Sequence, residues 1–157
     1  MTTAASNVPV ADRHFEDFVP GAVVEFGPIE IDEAEVIGFA LQFDPQPIHT
    51  DPEAARAGPF RGLIASGWHT VSLVMRVLVD NYLARGASLA SPGVDELRWL
   101  QPVRPGDMLR VRATVVEARR SQSKPDRGLV RTKIEVLNQD ERMVMSLTAM
   151  NLFRCRA

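Results

Sequence analysis

Cysteine is almost absent: among 157 residues there is one, Cys155. A single thiol can neither close an internal disulfide nor build a structural zinc site, and it points to a reducing compartment. Long hydrophobic runs are missing too. No stretch reaches the roughly 18 apolar residues of a membrane span, and MTTAASNVPVADRHFEDF lacks the basic start and apolar core of a secretory signal. The expectation is a soluble, cytoplasmic protein with no membrane partner. Neither charge is in excess: eighteen basic against twenty acidic side chains leave −2, too little positive charge for nucleic acid to be the expected partner. Repeats and low-complexity segments are also lacking. What is present, 45% hydrophobic and 24% charged residues, is the balance of a chain that folds, at a length that suits one domain with a sizeable core.

Residues 1–13 are small and polar and read as a flexible lead-in, with the domain over 14–157. AVVEFGPIEI, 22–31, follows the turn signal Pro20-Gly21 and is rich in β-branched residues, which predicts a strand. Asp32 followed by Glu35 resembles a capping box, and Val36, Ile37, Ala40 and Leu41 at helical spacing predict a short helix to about Phe43. Pro45, Pro47, Pro52 and Pro59 then forbid a long regular element, leaving a loop and one brief turn capped by Asp51. The strongest helix lies within 62–86. It should stop at Arg85-Gly86, and its apolar circumference from Trp68 to Leu83, relieved by Ser72, Arg76 and Asp80, predicts a helix wrapped on most sides. VDELRWLQPV, MLRVRATVVEA, GLVRTKIEVLN and MVMSLTAMNLF read as strands joined by short turns, hence antiparallel. In the middle pair, Leu109, Val111, Ala113, Val115 and Val130, Thr132, Ile134, Val136 alternate with charged or polar residues, so one sheet face is buried. The fold class is α+β: a single domain with an antiparallel sheet around one long central helix.

Two places could carry chemistry. In Phe43-Asp44-Pro45-Gln46-Pro47-Ile48-His49, a carboxylate and an imidazole sit in a proline-stiffened loop and could divide acid and base roles near neutral pH. On these two residues alone a turn-capping aspartate and a satisfied loop histidine is the simpler reading. In Ala65-Ser66-Gly67-Trp68-His69, small residues at the start of the long helix could let a ligand reach bare amides where the dipole favours negative charge, an oxyanion site in outline. The commoner explanation there is Ser66 as an N-cap and Gly67 as a small contact residue. Together the two features weigh more than either alone. Asp44, His49 and His69 could in principle hold iron or zinc, but no helix carries two histidines at ligand spacing, and His69 reads as a hydrogen-bonded core residue; no metal is expected. His14 reads as exposed, and Trp68, Trp99 and Phe60 as core or rim residues. Ser66 lacks the Gly-x-Ser-x-Gly elbow of a hydrolase nucleophile.

With these residues in view, the chain from about Phe15 to Arg154 resembles the MaoC-like R-specific enoyl-CoA hydratases and 3-hydroxyacyl dehydratases, which have the hot-dog fold. The resemblance is carried by Asp44-Pro45-Gln46-Pro47-Ile48-His49, by Ala54-Ala55, by Ile64-Ala65-Ser66-Gly67, and by the later Leu97-Arg98-Trp99-Leu100-Gln101-Pro102-Val103-Arg104-Pro105-Gly106-Asp107. It implies that Asp44 and His49 are catalytic and activate the water that adds to the β-carbon of a trans-2-enoyl thioester, or remove it in reverse. It further implies that the Gly67 amide polarises the thioester carbonyl, that Ser66 places the pair or the carbonyl, and that Ile64, Ala65, Gln46 and Trp68 belong to the substrate site. No cofactor is implied beyond the acyl-CoA or acyl-carrier thioester that is the substrate. A homodimer, or a higher oligomer, would run the pantetheine between subunits. Two departures stand out: Phe43 where the family has glycine before the aspartate, which could narrow the pocket or alter the presentation of Asp44, and Gln46 where it has asparagine.

Two rivals remain. A hot-dog thioesterase commonly carries its acid on the central helix, where the first acidic residue is Asp80, about 20 Å from the helix start. A non-catalytic acyl-CoA-binding subunit would keep the fold without turnover, a reading that retention of Asp44 and His49 disfavours.

Overall fold

A computed structural model describes residues 6–157. The expected lead-in over 1–13 therefore lies in part outside the described residues. Within it, Val10–Asp12 forms a 3₁₀ turn, and Arg13 Nε donates to the Val8 carbonyl at 2.9 Å.

The strand expected over 22–31 is β1, Val23–Glu30, with its pairing interrupted between Phe26 and Ile29, where Gly27-Pro28 intervenes. The Asp32 carboxylate accepts the Glu35 amide at 2.9 Å and opens α1, Glu33–Phe43. Between α1 and the central helix the prolines allow two short helices, each with proline in its first turn: α2, Pro47–Thr50, and α3, Pro52–Ala57, the latter capped by Asp51. His49 thus sits on a helical turn, where a loop was expected.

The central helix is α4, Gly67–Asn81, ending several residues before the Arg85-Gly86 stop signal. Tyr82 breaks it by leaving helical geometry to bury its ring, which meets Phe18 edge-on at 5.4 Å, while its hydroxyl pairs with Thr132 Oγ1 at 2.8 Å. Here tertiary packing overrides local helix propensity. Nor is α4 enclosed on most sides: His69, Thr70, Val74 and Leu78 are buried, but Trp68 and Met75 are exposed. Its apolar character serves one face turned to the sheet and a second left open.

The remaining strands are β2, Ser88–Trp99, β3, Met108–Arg120, β4, Arg127–Leu137, and β5, Met143–Arg154. All pairings are antiparallel in the order β1-β3-β4-β5-β2. Only β3-β4-β5 is a meander. The strand after α4 goes to the far edge beside β5, and residues 100–107 carry the chain back across the sheet. β2 also starts earlier than its hydrophobic pattern suggests, because Ser88 and Ala90 are held by pairing with Phe153 and Leu152 rather than by side-chain burial. The alternation in β3 and β4 is realised: Leu109, Val111, Ala113, Val130, Ile134 and Val136 are fully buried beneath α4. The architecture is a single hot-dog domain, a five-stranded antiparallel sheet curled on one long helix.

Candidate active site

The end of α1 and the start of α4 meet, and the two sequence features become one site. Asp44 is the C-cap of α1. Its Oδ1 accepts the Gln46 side-chain amide at 2.6 Å, and its Oδ2 accepts the Ser66 hydroxyl at 2.7 Å. These two hydrogen bonds, the Gln46 one first, together with the nearby His49 ring, hold the Asp44 carboxyl below the ordinary aspartate range. His49 Nε2 lies 3.4 Å from Asp44 Oδ2.

The imidazole is fixed from behind. His49 Nδ1 is 2.7 Å from the Ile64 carbonyl oxygen, and since a carbonyl only accepts, Nδ1 carries the proton. In the neutral ring Nε2 is then a lone pair facing a carboxylate. Two acceptors at that separation can share a donor that bridges them from one side, and water has two protons for the purpose.

Gly67 is the first residue of α4, with Ser66 at the N-cap. The first amides of a helix have no intrahelical acceptor. Ser66 is fully buried and makes no side-chain cap bond, since its hydroxyl is committed to Asp44. Gly67 is a contact residue as well: a Cβ there would overlap the Cε2, Nε1 and Cδ2 atoms of Trp99. Trp99 in turn meets Trp68 edge to face, with ring centroids 5.3 Å apart.

His49 and Gly67 both line a cavity of about 340 Å³ whose other walls include Phe60, Ile64, Trp99 and Val103. Ala65 is buried along it, whereas Trp68 stands outside, more than half exposed, and reaches it only through Trp99. Phe43 does not line the cavity: the residue is 65% exposed and its ring leans on Phe39 at 5.1 Å. Asp44 is held by its hydrogen bonds from Ser66 and Gln46.

His69 is buried, as expected, but is not the satisfied core histidine the sequence suggested. Its Nδ1 has no hydrogen-bond partner among the described residues, and its ring stacks on Phe39 at 4.9 Å, with burial lowering its pKa. His14 is partly buried, its Nδ1 2.9 Å from the Asp12 carbonyl. Among the described residues no three His, Cys, Asp or Glu side chains gather as a metal site. A second concavity of about 310 Å³ lies beside β1, lined by Glu25, Arg110 and Glu141. Arg110 pairs there with Glu141 at 2.6 Å, and none of Asp44, His49, Ser66 and Gly67 reaches it. Two parts of the site escaped sequence reasoning, the Ile64 carbonyl behind His49 and Trp99 against Gly67. Both are contacts between residues far apart in the chain, which local pattern does not report.

The MaoC like domain family matches residues 17–138. The chain is 34% identical over 110 residues to the 3-hydroxyacyl-thioester dehydratase Z of Mycobacterium tuberculosis, covering 69% of this chain and 73% of that one. The crystal structure of a MaoC-like dehydratase from Rhodospirillum rubrum superposes with a TM-score of 0.85 at 40% identity, covering 92% of this chain and 99% of that one. The unliganded R-hydratase PhaJ1 of Pseudomonas aeruginosa superposes with a TM-score of 0.71 at 25% identity, covering 91% and 86%. With a family match over most of the domain and the same fold in these relatives, the chain belongs to the MaoC-like domain family.

Proposed function

We propose that the protein adds water across the double bond of a trans-2-enoyl thioester, carried on CoA or an acyl-carrier protein, and removes it from the R-3-hydroxyacyl thioester in reverse. The observation that carries this reading is the placement of His49 Nε2 3.4 Å from Asp44 Oδ2, with His49 and the first amide of α4 lining one apolar cavity.

Asp44 and His49 hold the water. Its oxygen bonds to the β-carbon while one of its protons passes to the pair. The double-bond electrons move onto the thioester oxygen as an enolate, which the Gly67 amide stabilises at the helix N-terminus. The pair then returns a proton to the α-carbon, so that one water has been added and nothing else consumed. Ser66 and Gln46 act on Asp44 as positioning residues. No cofactor is needed. Asp80, the acid a thioesterase reading would call on, is ion-paired with Arg76 and Arg85 at the far end of α4.

The working unit in this reading is a homodimer. β2 is an edge strand, and Val94, Trp99 and Leu100, along with Trp68 and Met75 on α4, are exposed apolar residues that a second copy would cover.

The test is incubation with crotonyl-CoA and longer trans-2-enoyl-CoAs, following loss of enoyl absorbance and appearance of free thiol. The expected result is hydration without thiol release, abolished in Asp44→Asn and His49→Gln proteins that still fold. Thiol release would establish a thioesterase instead, and binding without either reaction a non-catalytic subunit. Full hydration by Asp44→Asn would overturn the proposed pair.

A further inference from the structure

Trp99 lines the cavity beside Gly67, the residue whose amide the proposed mechanism uses. Its indole is packed on Gly67 so closely that the glycine has no room for a side chain. A carbonyl oxygen accepting the Gly67 amide sits about 2.9 Å from that nitrogen, so its carbonyl carbon lies one bond further and its α-carbon two. Trp99, which packs on Gly67 and lines the same cavity, is a wall at that end of the acyl group. Of the other walls, Ile64 and Val103 are buried, and Phe60 and Leu100 are exposed but contribute none of the three atoms nearest a Gly67 Cβ, all of which belong to Trp99. Trp99 is 46% exposed but braced by Trp68, so it is a side-chain wall rather than backbone, and a substitution can remove it without unmaking the core. The cavity, of about 340 Å³, is at the small end for a ligand pocket.

We propose that Trp99 is the specificity-determining residue of this site: its indole excludes a substituent on the carbon next to the thioester carbonyl and restricts the protein to acyl groups unbranched there. The inference rests on the acyl-thioester reading above, and it names the substrate class within it. One misplaced methyl in an apolar pocket is worth about 10–200-fold in selectivity.

The test compares crotonyl-CoA with tiglyl-CoA, which differ by one methyl on the α-carbon, in the wild type, Trp99→Phe and Trp99→Ala, by kcat/KM for hydration. Dissociation constants for butyryl-CoA and isobutyryl-CoA are measured on the same proteins by calorimetry, so that selectivity is read without turnover. The wild type should prefer the unbranched member of each pair at least tenfold. Trp99→Ala should shrink both preferences to below about threefold, with Trp99→Phe between them. Should Trp99→Ala not fold, or not form the dimer whose surface Trp99 shares, Trp99→Leu carries the same comparison. An unchanged preference in the variant, or none in the wild type, would overturn the role of Trp99. A wild type that hydrates neither enoyl thioester but binds butyryl-CoA tenfold better than isobutyryl-CoA would overturn the hydratase reading while leaving the wall intact. Failure to bind either would overturn both.

Discussion

Ser66 and Asp44 are joined by a 2.7 Å hydrogen bond that ties the start of α4 to the end of α1. Ser66 occupies the N-cap position, but its hydroxyl serves Asp44 instead of the amides of its own helix. A capping serine replaced by alanine costs about 1 kcal/mol of stability. A serine that holds a carboxylate costs the activity of that carboxylate too. We expect Ser66→Ala to lower kcat/KM for hydration about 10–100-fold, from the 1.5–3 kcal/mol of a hydrogen bond to a charged group. The thermal midpoint should fall as well, because the lost bond joins α4 to α1 and helps to lower the Asp44 pKa, but the activity loss should persist at temperatures where the variant is fully folded. Steady-state kinetics beside a melting curve separate the two outcomes.

Gln46 acts on the other oxygen of the same carboxylate and is the first cause of its lowered pKa. A carboxyl whose folded pKa is depressed stabilises the fold at pH above its unfolded value, and that contribution is lost as pH falls through the folded value. For Asp44 that loss lies below 3.8, its ordinary value. In Gln46→Leu the Asp44 carboxyl should titrate closer to that ordinary value, read by carbon NMR of the side chain. Acid unfolding of the variant should begin at higher pH than in the wild type. An unmoved Asp44 titration would show that Ser66 and His49 suffice.

Much of this was legible before any coordinates. The capping aspartates at 32 and 51, the alternation of Leu109 to Val115 and Val130 to Val136, and the turn signals between β3, β4 and β5 are local codes, and each produced the element it predicts. Asp44, His49, Ser66 and Gly67 were legible as two candidate features that the family resemblance joined, but the bond that unites them was not, because Ser66 and Asp44 are 22 residues apart and only the packing of α1 against α4 brings them together. The end of α4 was misread because Tyr82 leaves the helix for a tertiary contact with Thr132, 50 residues away. The position of β2 beside β5 was hidden for the same reason, since strand order depends on where residues 100–107 cross rather than on any pattern within β2.

Gly67 answers to Trp99 as well as to the bare amide it exposes. A methyl added by Gly67→Ala must displace the indole or the start of α4. Overpacking of this kind costs about 1–3 kcal/mol. In a denaturation cycle with Trp99→Ala, the double variant should be more stable than the sum of the single losses by about 1 kcal/mol or more, because removing the indole removes the clash. Strict additivity would show that Gly67 and Trp99 do not press on one another in solution.

Tyr82 gives a spectroscopic check on the core, because it is the one tyrosine in the sequence. Burial pushes its phenol up to about 12, against a partial offset from the Thr132 hydrogen bond. With a folded pKa raised above its unfolded value of 10.0, the phenol contributes a stability that is fully present below pH 10 and is lost as pH rises towards about 12. Two pKa units correspond to at most about 3 kcal/mol. Phenolate absorbance should rise near pH 12 in the folded protein and near 10 in denaturant. Tyr82→Phe should flatten the alkaline loss of stability while costing about 1–3 kcal/mol at neutral pH, since the buried Thr132 hydroxyl is left without its partner. A folded-state titration at the unfolded value would mean that the ring meets water, and that α4 does not end by turning Tyr82 into the core.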